Sequence, residues 1–152
     1  LNIKNASSSE FKNRKTKNII GLMTEWKKGK EFLKRDKNSD VGGTMRLGAY
    51  KCILKNNSLA HSIYNKQYIY ERHRHRYEMN IIYEKMFKKI GMHISGKSPD
   101  GKLPEVIELD SHPWFIGVQF HPELMSSPLK PHPLFNSYIE ACIKEKNQNN
   151  AK

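Results

Sequence analysis

Phe115 to Phe120 is a short apolar run that stops at His121-Pro122-Glu123. Its length suits a strand, and its apolar character on both faces is the pattern of an interior strand covered on both sides. Proline cannot continue the strand, so its end faces a site. Such a strand needs neighbours. Ile19 to Met23 suits a second buried strand, Leu47 to Leu54 alternates as a third after a turn at Gly42-Gly43, and Gln67 to Tyr77 reads as extended. Two more are expected at 92–96 and 103–109, joined by the turn Pro99-Asp100-Gly101.

Helical signals lie between them. Ser58 can cap a short helix through Tyr64. Residues 79–90 place Ile82, Met86 and Ile90 at helical spacing, with Gly91 at the stop. Residues 132–145 read as a closing helix with Phe135, Ile139 and Ile143 on one face. Residues 1–18 read as a surface or partly disordered segment, 27–40 as an exposed charged loop, 19–145 as the folded part and 146–152 as a polar tail. Strands and helices mix without repeats, which predicts an α/β or α+β class. Too few βαβ units are visible to complete a sheet alone, as in an incomplete domain.

The 152 residues suffice for one domain and a sizeable core. No window reaches the roughly 20 apolar residues of a membrane span, and the N-terminus has no apolar signal-peptide core. A soluble, cytoplasmic protein without membrane association is expected. Cys52 and Cys142 fit neither a disulfide framework nor a zinc spacing. Cys52 sits mid-strand and Cys142 on the apolar side of the last helix, so both read as small buried hydrophobes rather than nucleophiles. The net charge of +12 raises nucleic acid as a partner. Residues 1–40 hold 11 basic and 5 acidic side chains, so half the excess sits in the first quarter.

Three constellations could carry chemistry. In His121-Pro122-Glu123 the carboxylate can accept the ring N–H, fix its tautomer and stabilise the imidazolium, the orienting role in a triad. The bland alternative is a surface turn with two unconnected polar side chains. In Glu71-Arg72-His73-Arg74-His75-Arg76-Tyr77-Glu78, strand alternation puts Arg72, Arg74 and Arg76 on one face and His73 and His75 on the other. Three guanidiniums suit phosphates or a carboxylate substrate, while an edge strand laced by Glu71 and Glu78 is the alternative. A metal held by His73 and His75 lacks a completing ligand set. Gly42-Gly43-Thr44-Met45-Arg46-Leu47-Gly48 fits neither a Walker loop nor a dinucleotide fingerprint, and reads as a turn entering a strand.

Taken in order, Ser9-Glu10-Phe11, Met23-Thr24-Glu25-Trp26, GGTMRLG at 42–48, ERHRHRYEMN at 71–80 and HPWFIGVQFHPE at 112–123 resemble the C-terminal glutamine amidotransferase domain of the CTP synthase family. The resemblance runs from about residue 6 to 145. It implies the later part of a class I (triad) amidotransferase domain, a flavodoxin-like α/β fold with a mostly parallel central sheet flanked by helices. It also implies hydrolysis of L-glutamine to glutamate and ammonia, which an N-terminal synthetase domain uses with ATP and Mg²⁺ to convert UTP to CTP. His121 matches the catalytic histidine and Glu123 its orienting carboxylate. Arg76 matches the residue holding the glutamine carboxylate, Glu10 a glutamine-contacting position, and Thr44 and Arg46 positions tied to activation by GTP. For Arg72, Arg74, His73 and His75 the resemblance implies only a structural or domain-interface role. No metal site or cofactor is expected in this chain, and the family assembles tetramers chiefly through synthetase domains.

The family's nucleophile lies in a G-x-C-L-G-x-Q segment, which this sequence does not contain. By the family's order it precedes Ser9-Glu10, upstream of Leu1. The chain is therefore expected to be a fragment that does not hydrolyse glutamine alone, partnered by the upstream part of the same domain. A basic nucleic-acid-binding module is the alternative function. An amidotransferase serving another acceptor, as in GMP synthetase, is disfavoured by GGTMRLG and ERHRHRYE.

Overall fold

The computed structural model describes residues 2–11, 16–22 and 45–150. Met23-Thr24-Glu25-Trp26, the 27–40 loop, the Gly42-Gly43 turn and Thr44 lie outside them. Two sheets are formed. In the smaller, β1 (Ala6–Ser8) pairs parallel with β2 (Lys17–Leu22), which pairs antiparallel with β5 (Tyr77–Met79). The larger has the order β4-β3-β6-β7-β8, with β3 at Arg46–Leu54, β4 at Tyr68–His75, β6 at Met92–Lys97, β7 at Pro104–Leu109 and β8 at Ile116–Val118.

This larger sheet is antiparallel throughout. The α/β character is as expected, but the mostly parallel sheet is not what the described strands form. The connections at 98–103 and 110–115 are too short for the crossover of a dozen or more residues that a parallel pair requires. The first is a tight turn in which Gly101 N–H donates to Ser98 O (2.8 Å) at a positive φ of 72°. The apolar run ending at His121 also lies differently. Among the described strands, its strand β8 is half-buried at the edge of the sheet, paired with β7 alone. The sheet nevertheless curls, because His121 N–H donates to Arg72 O (2.8 Å) on the opposite edge strand β4.

Helix α1 (Leu59–Tyr64) is capped as its sequence predicts, with Ser58 Oγ accepting from His61 N–H (3.0 Å) and Asn65 closing it in the left-handed region. Glu108 of β7 adds a second cap, its two oxygens accepting from Leu59 and Ala60 N–H at 2.9 Å each. That contact ties the helix to the sheet. The core gathers Cys52, Leu54, Ile69, Val106, Phe120 and Leu134 around Ala60. Gly96 is required at its centre, since an added Cβ would lie 2.6 Å from Val106 Cγ2 and 2.8 Å from Cys52 Sγ.

The two remaining helices differ from expectation. Residues 79–90 form a 3₁₀ turn (Ile81–Tyr83) and the short α2 (Glu84–Lys88), with Gly91 at a positive φ after them. Ile82, Met86 and Ile90 are exposed. The closing helix α3 (Pro133–Asn150) buries Leu134 but leaves Phe135, Ile139 and Ile143 exposed. Helical spacing identifies a face without identifying what covers it, and no described element covers these. Cys142, on α3, is exposed and not buried. Among the described residues no helix is long and apolar enough to cross a membrane.

Candidate active site

Past β8 the chain turns at His121 into a 3₁₀ turn, Pro122–Met125, with proline in the first helical position. This places Glu123 back beside the imidazole: His121 Nδ1 lies 2.7 Å from Glu123 Oε1. A carboxylate can only accept here, so Nδ1 carries the proton and Nε2 is the basic nitrogen of the neutral ring. Nε2 has no hydrogen-bond partner among the described residues. Its side chain is 39% exposed and that of Glu123 58%. Glu123's own backbone N–H and then the His121 ring hold its carboxyl below the usual range. The pair thus offers an oriented proton acceptor on an open surface, able to form an imidazolium facing a carboxylate. The surface turn with unconnected side chains is not what forms.

The backbone of this turn is held from two sides. Gln119 N–H donates to Glu105 O (3.0 Å) on β7, and His121 N–H donates to Arg72 O on β4. Between them Phe120 is buried, its ring edge-on to His73 at 6.0 Å. Beneath lies a polar cluster that the sequence reading missed. Arg46 Nη1 is 2.7 Å from Glu105 Oε1 and 3.1 Å from Glu78 Oε1, with all three side chains buried. Gln119 Nε2 donates to Glu78 Oε2 (2.9 Å) and to Pro104 O (3.0 Å). The available signal was a polar residue within each apolar run: Glu105 in PEVIEL and Gln119 in FIGVQF. Burial places such residues in paired clusters.

In β4 the alternation holds as expected for Arg72 and Arg74, which are exposed, opposite Glu71 and His73, which are buried. Glu71 and Glu78 are not an exposed lacing for the arginines. Glu71 Oε1 accepts from Tyr64 Oη (2.9 Å) and His132 Nε2 (2.8 Å), anchoring the start of α3. Arg76 does not share the face of Arg72 and Arg74, because β4 ends at His75. It is half-buried in the bend before β5 and has no hydrogen bond or ion pair with a described residue, leaving its fork available to a ligand. Glu10 is exposed just after β1, its N–H donating to Ser8 Oγ (3.3 Å). No hydrogen bond or ion pair joins Glu10 or Arg76 to His121 or Glu123. Arg46 also lies under the Tyr50 ring at 4.5 Å, inside the fold. Among the described residues no group of three His, Cys, Asp or Glu side chains is arranged to hold a metal ion.

The model of the glutamine amidotransferase class-I family matches residues 17–141, including the His121–Glu123 pair. The chain belongs to that family. CTP synthases from Hyphomonas neptunium and Pelagibacter ubique are 57% and 59% identical to it over 94% and 96% of its length. The chain spans 26% and 27% of those relatives. A Trypanosoma brucei CTPS glutaminase domain with bound acivicin superposes with a TM-score of 0.76 at 32% identity, covering 92% of this chain and 51% of that one. These matches give no support to the nucleic-acid alternative. Within the matched residues, the His121–Glu123 pair joins an imidazole to a carboxylate at 2.7 Å. No hydrogen bond joins Cys52 or Cys142 to His121. Cys52 is buried mid-strand, where burial pushes its thiol up to about 12, and Cys142 is exposed on α3.

Proposed function

We propose that the chain supplies the base, the orienting carboxylate and part of the glutamine site of a CTP synthase amidotransferase domain. L-Glutamine is hydrolysed to glutamate and ammonia, and a synthetase domain outside this chain uses the ammonia with ATP and Mg²⁺ to aminate UTP. The observation carrying this reading is the 2.7 Å His121–Glu123 pair, its Nε2 unpartnered among the described residues, on a chain closely similar to CTP synthases. His121 Nε2 takes the proton of a cysteine thiol supplied from outside the chain, and the thiolate attacks the glutamine side-chain amide. The same nitrogen then protonates the departing ammonia, and in the second half it activates the water that releases glutamate. Glu123 stabilises the imidazolium in both halves.

The guanidinium of Arg76, unpaired among the described residues, suits the α-carboxylate of glutamine, and Glu10 suits its amino group. Thr44 and Arg46 belong to the response to GTP. Arg46 serves it through its buried pairs with Glu78 and Glu105. The working assembly includes the upstream part of the amidotransferase domain and the synthetase domain in a cytoplasmic homotetramer.

The test is a chimera in which these residues replace the matching quarter of the Hyphomonas neptunium CTP synthase. Glutamine-dependent CTP formation is expected, and His121→Ala is expected to abolish it while leaving ammonium-supported CTP formation intact. A chimera that uses ammonium but shows the same glutamine rate with and without His121 would overturn the proposal.

A further inference from the structure

The cluster behind His121 has a proton inventory fixed by hydrogen-bond chemistry. His75 Nδ1 lies 3.1 Å from Tyr77 O, and a carbonyl only accepts, so the proton is on Nδ1. In the neutral ring His75 Nε2 is then a lone pair, and at 2.8 Å it accepts from His73 Nδ1. His73 Nε2 is left as a lone pair as well. It faces Glu105 Oε2 at 3.6 Å, and neither atom has a hydrogen-bond partner among the described residues. Two acceptors facing each other in a buried site repel; a proton between them satisfies both.

Charge places that proton. Arg46 provides one guanidinium for two buried carboxylates. Glu78 receives donors on both oxygens, from Arg46 and Gln119, and remains the anion. Glu105 Oε2 receives none. A second buried carboxylate would lack a counterion, whereas a neutral acid at Glu105 both removes the excess charge and donates to His73. Burial pushes the Glu105 carboxyl up to about 7 and the His73 ring down to about 3, which favours the proton on oxygen. The other titratable groups around the cluster are Tyr50 and Cys52 on β3, His75 on β4 and His121 beyond β8.

We propose that Glu105 is a positioning residue that acts as a neutral acid, donating from Oε2 to His73 Nε2 and so fixing the 119–121 segment that presents His121. The facing atoms, 3.6 Å apart, belong to the two strands that hold this segment. Glu105 O receives Gln119 N–H from the β7 side, Arg72 O receives His121 N–H from the β4 side, and the His73 ring packs on Phe120 between them. Without the donor, β4 and β7 lose their side-chain link beneath the turn, and the imidazole shifts relative to its substrate. The inference rests on the reading of His121 as the base.

Its test compares Glu105→Gln with Glu105→Ala. The amide of Gln can donate to His73 while its oxygen faces Arg46, and it matches a neutral carboxyl in charge. In the ¹⁵N-labelled chain, ring-nitrogen shifts at pH 7 are expected to show His73 and His75 as neutral Nδ1–H tautomers, unchanged by Glu105→Gln. His73 found as an imidazolium or as the Nε2–H tautomer overturns the proposal. In the chimera, Glu105→Ala is expected to lower kcat with glutamine by roughly 10- to 100-fold with KM little changed, and Glu105→Gln to restore it, ammonium-supported turnover being constant. If His121→Ala retains glutamine turnover, the underlying reading fails and this inference with it. If His121→Ala is inactive yet Glu105→Gln falls as far as Glu105→Ala, only the positioning role fails.

Discussion

His121 Nδ1 and Glu123 Oε1 stand 2.7 Å apart across one proline, with the opposite ring nitrogen unpartnered among the described residues. The contact fixes which ring nitrogen carries the proton and which is left as an acceptor. Glu123→Gln keeps an acceptor but removes the charge that stabilises the imidazolium. In the chimera it is expected to lower kcat with glutamine by roughly 10² to 10⁴ with little change in KM. Steady-state glutamate release, with ammonium-supported CTP formation as the control, measures it. A change confined to KM would assign Glu123 to substrate binding.

Arg76 is the contrasting case, a cation with no partner among the described residues. Arg76→Ala is expected to raise KM for glutamine by roughly 10- to 100-fold, the worth of a charge-assisted bidentate contact of about 1.5–3 kcal/mol. Arg76→Lys is expected to recover only part of that, because an ammonium lacks the planar fork. Equal KM in all three proteins would place the glutamine carboxylate elsewhere.

Glu105 makes stability depend on pH in a way that the Gln variant isolates. The Glu105 carboxyl is raised from 4.5 to about 7, so between those values the folded state holds a proton the unfolded chain has lost. Its stabilising effect is therefore complete below about 4.5 and declines as pH rises towards 7. His73, lowered from 6.5 to about 3, contributes in the opposite sense, stability rising with pH up to 6.5. The two oppose each other in the overlapping range. Glu105→Gln removes one and leaves the other. Its stability relative to the unsubstituted chain is thus expected to rise by about 3 kcal/mol from pH 4.5 to pH 7. Urea unfolding at both pH values reads the difference.

Local chemistry carried the legible part of this fold. The Ser58 cap, the turn at Pro99-Asp100-Gly101, the β4 alternation and the His121-Pro122-Glu123 turn each depend on residues close in sequence, and each forms as the residues direct. What escaped the sequence depends on distant partners. Strand direction follows from which strands become neighbours, so the antiparallel sheet and the edge position of β8 could not be read from apolar runs. The apolar face of α3 was legible as a face, while its exposure was not. Arg46 shows the same limit within the site. Its partners Glu78 and Glu105 are distant in sequence, Glu78 by 32 residues and Glu105 by more, and no local spacing announces the pairing.

The cysteines separate by packing. Cys52 is buried against Gly96 and Val106 with its thiol pushed up to about 12, whereas Cys142 is exposed on α3. Iodoacetamide at pH 8 is expected to alkylate Cys142 and to leave Cys52 unmodified until the chain is unfolded, because reaction requires an accessible thiolate. Peptide mass spectrometry reads both sites in one sample. Gly96→Ala supplies the internal control. Its added methyl group is directed at Cys52 Sγ and Val106, and such overpacking costs typically 1–3 kcal/mol, about that much in this core. Cys52 labelling through local opening should accelerate in proportion, roughly 5- to 100-fold at 1.4 kcal/mol per tenfold change in the opening equilibrium. Cys142 labelling should not change. Rapid modification of Cys52 in the unsubstituted chain would show that the β3–β6 core opens far more readily than its packing implies.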